Sequence, residues 1–156
     1  MKAATVQEIK QELKEKPVAD LVELCLRLAR YKKENKELLT FLLFEANDLE
    51  GYIKGVKEEI EECFAEINTS HLYYVKKSLR KILRTTNKYI RYSGSKTAET
   101  ELLLYYCQKI KDSDIKIKKS TALTNLYNGQ IKKLQAAISS LHEDLQYEYL
   151  RQLERL

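Results

Sequence analysis

The chain has little glycine and proline: four Gly and one Pro in 156 residues. Folds that depend on many tight turns, such as sandwiches and barrels, need far more of both. Phosphate-cradling Gly-rich loops are missing for the same reason, and no GxGxxG or Walker-type motif occurs. Tryptophan is absent, and valine is scarce at five residues against 24 leucines, a balance that favours helix over strand. Only three cysteines occur, Cys25, Cys63 and Cys107, widely spaced, with no Cys-x-x-Cys pair. A disulfide framework and a structural zinc site are therefore both disfavoured, and buried free thiols in a reducing compartment are expected. The two histidines, His71 and His142, lack the partners of a metal motif, since Ser139 stands three residues before His142 where a di-metal carboxylate site would have Glu. No cofactor, no metal site and no catalytic constellation is expected, which argues against an enzyme. The longest apolar runs, near Leu38–Phe44 and Leu102–Cys107, are well short of the ~20 residues of a bilayer span, so no membrane partner is expected. The start, Met-Lys-Ala-Ala-Thr, lacks the apolar core of a secretory signal, and a cytoplasmic location is the expectation.

What is present is helical periodicity. Thr5 with Glu8 three residues on forms a capping-box pattern ahead of the thin stripe Val6, Ile9, Leu13. Pro17 ends that helix and can open the next, about Val18–Tyr31. This second helix is apolar almost all round, which predicts a central element covered on several sides. Asn35 is a candidate cap. From Leu39 to Ile67 apolar residues alternate in steps of three and four, through Leu42, Ala46, Leu49, Ile53, Val56, Ile60 and Cys63. This heptad seam predicts one long helix, Lys36–Asn68. Thr69 or Ser70 then caps a helix whose seam is Leu72, Val75, Leu79, Ile82, Thr86 and Tyr89, ending before Gly94, the two helices forming an antiparallel hairpin with a three-residue connection. Thr97 caps a shorter helix, Ala98–Lys111. Ile115 to about Arg155 reads as helix, which either bends at Asn128-Gly129 or runs unbroken and projects from the body.

The predicted fold class is all-α: one domain, residues 1–156, an antiparallel bundle of five or six helices built on the hairpin 36–93, with a short α-α superhelix as the alternative. In general style the chain resembles small bacterial helical proteins and points to no particular family.

The charge layout is the most specific functional signal. Residues 45–66 hold eight acids and two bases, and residues 67–98 hold eight bases and no acid. Folding the hairpin near Thr69 would place Glu62 opposite Lys76, Glu61 opposite Lys77 and Glu58 opposite Arg80, so the two runs are expected to neutralise one another. Arg84, Lys88 and Arg91, with Tyr92 beside them, lie past the densest acid run and are the candidate anion or partner face. The expected function is a protein-interaction or scaffold module with an unknown protein partner. Self-association into a homodimer is one expected way of covering the apolar seams of the long helices. Weak, sequence-independent nucleic-acid binding through the basic helix 72–92 is the alternative.

Overall fold

The computed structural model describes all 156 residues, Met1–Leu156. It is all-helical, in two compact units, Met1–Phe44 and Glu45–Leu156.

The first unit contains α1 (Val6–Lys14), α2 (Val18–Tyr31) and α3 (Lys33–Thr40). The capping box forms as the pattern predicts. The Thr5 hydroxyl accepts from the Glu8 amide at 3.3 Å, and the Thr5 amide donates to the Glu8 carboxylate at 2.7 Å. That bond, with a second from the Thr5 hydroxyl, holds the Glu8 carboxyl below its ordinary pKa. Pro17 opens α2. Asn35 is not a cap. It lies inside α3, where its amide donates to the Leu28 carbonyl at 2.9 Å and ties α3 to α2. Neither α1 nor α2 buries a single residue, so α2 is not the central helix its composition suggests. A unit of 44 residues has too little chain to wrap an all-round apolar helix.

The expected continuous helix 36–68 is interrupted. A π-helical turn occupies Phe41–Glu45, and α4 (Leu49–Ala65) begins anew after Asp48. Asp48 leaves helical geometry at ψ 74°, and its carboxylate accepts from the Gly51 amide at 2.9 Å. A Cβ at Gly51 would collide with that carboxylate. The break therefore rests on a local cap that the heptad seam, which counts only apolar positions, passes over.

In the second unit α4 is followed by α5 (Leu72–Ser93), α6 (Lys96–Asp112), a 3-10 turn (Ile117–Lys119), α7 (Thr121–Ser139) and α8 (Glu143–Leu153). The connection from α4 to α5 is residues 66–71, longer than the expected three, because His71 rather than Thr69 or Ser70 caps α5, its Nδ1 accepting from the Tyr73 amide at 3.1 Å. Gly94 closes α5 in the left-handed conformation, φ 59°, as expected. Ser95, not Thr97, caps α6. The bend expected at Asn128-Gly129 is absent, and α7 runs through it. The break lies at Ser140–His142. The Ser139 and Ser140 hydroxyls donate back to the Ala136 and Ala137 carbonyls at 2.8 and 2.7 Å, and His142 caps α8.

Helix α6 is the centre of this unit. It packs against α4, α5, α7 and α8, and buries Leu102, Leu103, Tyr106, Cys107 and Ile110. Facing residues include Ile53, Val56 and Ile60 of α4, Val75, Leu79 and Ile82 of α5, and Leu134 and Ile138 of α7. Of the expected seam, Ile53, Val56 and Ile60 of α4 and Val75, Leu79, Ile82 and Thr86 of α5 are buried, whereas Leu49, Cys63, Leu72 and Tyr89 are half-buried. Tyr106 joins three helices: its ring lies edge-on to Phe64 of α4 at 5.8 Å, and its hydroxyl donates to the Leu79 carbonyl of α5 at 3.0 Å.

Candidate binding faces

Over its 22 residues α5 carries seven bases and no acid. The expected neutralisation by the acid run of α4 does not form for Lys76, Lys77 or Arg80. Glu61 of α4 instead accepts from Lys109 of α6 at 2.7 Å and from the Tyr105 hydroxyl at 2.5 Å. Lys57 of α4 pairs with Glu101 of α6 at 2.6 Å. Tyrosines bond α4 and α5 to each other: the Tyr52 hydroxyl of α4 donates to the Tyr89 carbonyl, and the Tyr89 hydroxyl of α5 donates to Glu59, each at 2.9 Å. The physical reason is the third helix. The opposite-residue count treats α4 and α5 as an isolated pair, whereas α6 packs against both and offers its own Lys109 and Tyr105 to Glu61. These contacts hold the Glu61 carboxyl below the ordinary carboxylate range, Lys109 contributing most. Burial, reinforced by Glu61, pushes Tyr105 up to about 12.

The positive charge of α5 therefore stays at the surface. Arg84 and Arg91 come together, with Arg80 and Asn87, along one wall of an open recess of about 460 Å³. Lys133 of α7 and Glu99 of α6 complete it, and the Glu99 carboxylate is paired with Lys96 at 2.7 Å. Arg80, Arg84, Arg91 and Lys133 form no ion pair. Lys88 and Tyr92 are placed apart from this recess. Lys88 is half-buried, and its ammonium lies over the rings of Tyr89, at 4.9 Å, and Tyr92, at 5.9 Å. Of the four residues singled out in the sequence, two line the recess. Arg80 and Lys133 were missed. Arg80 had been assigned an acid partner, and Lys133 lies 42 positions from Arg91 with no local signal linking them.

A second face of different character lies in the first unit. Val6, Ile9 and Leu13 of α1 and Leu21, Leu24, Cys25 and Leu28 of α2 line a groove of about 650 Å³. Its only charged lining residues are Lys10 and Lys14, and neither forms an ion pair. Leu28 is 61% exposed and Val22, on the same helix, 52%. The composition of α2 was legible, but its exposure was not.

Both histidines are accounted for as helix caps. No helix is long and apolar enough to cross a membrane. No protein-family model, no curated protein and no solved structure matches this chain.

Proposed function

We propose that this protein is an interaction module that acts by binding rather than catalysis, its N-terminal unit docking an amphipathic helix of another protein in a reducing, cytoplasmic setting. The observation that carries the reading is α2: a helix with a wide apolar face, its charges Asp20, Glu23, Arg27 and Arg30 gathered on one side, that buries none of its residues. Leucines at i, i+3 and i+7 on α2, half-buried Leu21 and exposed Leu24 and Leu28, stand beside Val6, Ile9 and Leu13 on α1 and form the two walls that helix-in-groove recognition uses. Apolar surface of this extent on a small unit marks an interaction site. The rim specifies the occupant's charge. With Lys10 and Lys14 unpaired at the groove, a helix whose leucine stripe is flanked by Glu or Asp is favoured, and one flanked by Lys is repelled.

The test uses a labelled helical peptide with leucines at i, i+3, i+4 and i+7 and Glu on its flanks, against the same peptide with Lys flanks. Saturable micromolar binding of the acidic peptide is expected, at least about tenfold tighter than the basic one, corresponding to about 1.4 kcal/mol. Leu24→Asp should abolish it, as should alkylation of Cys25, which lines the groove and is exposed. Absence of saturable binding, or binding indifferent to Leu24→Asp, overturns the reading. Light scattering that shows a dimer lost on Leu24→Asp also overturns it, by making a second copy of the chain the occupant.

A further inference from the structure

On α5, Tyr73, Lys77, Arg80, Arg84 and Arg91 succeed one another in steps of four, three, four and seven. At 100° per residue these positions fall within about 60° of one another, a single straight stripe. The stripe covers eighteen residue steps, about 27 Å of helix. All five side chains are exposed. None of the four cations forms an ion pair: of the α4 acids, Glu61 is bonded to α6 and Glu59 accepts from the Tyr89 hydroxyl. Lys133 of α7 shares the recess of Arg80, Arg84 and Arg91, which also holds Glu99, paired with Lys96. Tyr73, at the other end, is 57% exposed with its ring edge-on to Tyr74 at 5.6 Å.

We infer that this stripe is a track for single-stranded nucleic acid, held through its phosphates without sequence preference and stacked at one end on Tyr73. Three features select that ligand. First, the length: the unpaired cations from Lys77 to Arg91 extend over about 21 Å, suited to a chain of phosphates rather than to a lone phosphate group. Second, the aromatic: an exposed ring in line with a cation row is the combination by which sequence-tolerant single-strand binders hold bases and backbone together. Third, the lack of exposed aliphatic residues on the stripe: Leu83, beside it, is buried, and a helix that lies on a membrane needs an apolar face to insert. The site is in the second unit and does not depend on the groove of the first.

The probe is a fluorescent oligothymidylate of about 20 nucleotides, titrated by anisotropy with the full chain at about 50 and 200 mM salt. Binding in the micromolar range is expected at low salt. Five phosphate contacts predict a log–log salt slope of about −3.5, so affinity should fall roughly 100-fold between the two conditions. Arg84→Ala/Arg91→Ala should weaken binding and make the slope shallower by about 1.4, since each lost phosphate contact on a single strand removes about 0.7. Tyr73→Ala should weaken strand binding by about fivefold or more and leave duplex binding unchanged. These side chains are exposed, so circular dichroism should show every variant folded. Lys10→Ala/Lys14→Ala, on the other unit, should leave strand binding intact. The inference is overturned by no binding at low salt, by equal binding of the double arginine variant, by duplex preference with no effect of Tyr73→Ala, or by tighter binding to phosphatidylserine vesicles than to the strand.

Discussion

Replacing Tyr106 with Phe separates two effects of one hydroxyl group. The side chain is fully buried, and its hydroxyl donates to the Leu79 carbonyl at 3.0 Å. Tyr106→Phe keeps the ring and its edge contact with Phe64 but loses that bond, a loss of about 1 kcal/mol. The carbonyl it abandons sits inside α5 and keeps its helical partner, so no further penalty for an orphaned acceptor is expected. The second effect opposes the first. Burial drives the Tyr106 phenol far above its ordinary 10.0, so the native state keeps the proton while the unfolded chain releases it. A folded pKa raised in this way gives stability that is fully present below pH 10 and is lost as pH rises. Above pH 10 the wild type should lose about 1.4 kcal/mol per pH unit from this group, and the Phe variant should not. The stability curves should therefore cross where the lost increment reaches about 1 kcal/mol, between about pH 10.5 and 11. Tyr105 and Tyr149, both pushed up to about 12, titrate in both proteins and cancel in the difference, and Cys107, raised to about 12 by burial, keeps its proton in the folded chain through the pH range of the crossing. Urea unfolding followed by far-ultraviolet circular dichroism at a series of pH values measures that difference. A constant gap across the alkaline range would refute the protonated, buried phenol, and no gap at neutral pH would refute the contribution of the Leu79 bond.

Two further perturbations test the core and the helix ends. Ile60, 4% exposed on α4, should cost about 2–5 kcal/mol when changed to Ala, and an unchanged denaturation midpoint would mean that the α4 seam is not packed. The glycines should respond with opposite signs: Gly94→Ala, at φ 59°, should destabilise by about 1 kcal/mol, whereas Gly55→Ala, in the interior of α4 with open space around its Cβ position, should stabilise by about 0.5–1 kcal/mol, both read from urea midpoints.

Helical class, the caps at Thr5 and Gly94, and the buried faces of α4 to α6 follow from the order of residues alone. Each depends on neighbours within a turn or two: a hydroxyl three positions from a carboxylate, a glycine after the last turn, apolar residues at steps of three and four. The break at Asp48 was also local, but its cap signal competes with the continuous apolar seam from Leu39 to Ile67, and only the folded chain shows that the cap prevails. Partner choice was not local at all. Glu61 can meet Lys77 across a hairpin or Lys109 across a bundle, 48 positions away, and the packing of α6 between the acid run and the rest of the unit decides for Lys109. That choice leaves Lys77 without its expected acid; Arg80, which Glu58 does not pair either, lines one recess with Arg84, Arg91 and Lys133. Exposure of α2 was decided in the same way. Its apolar residues are written in the sequence, but whether enough chain surrounds them is a property of the unit they fold in, and 44 residues do not suffice.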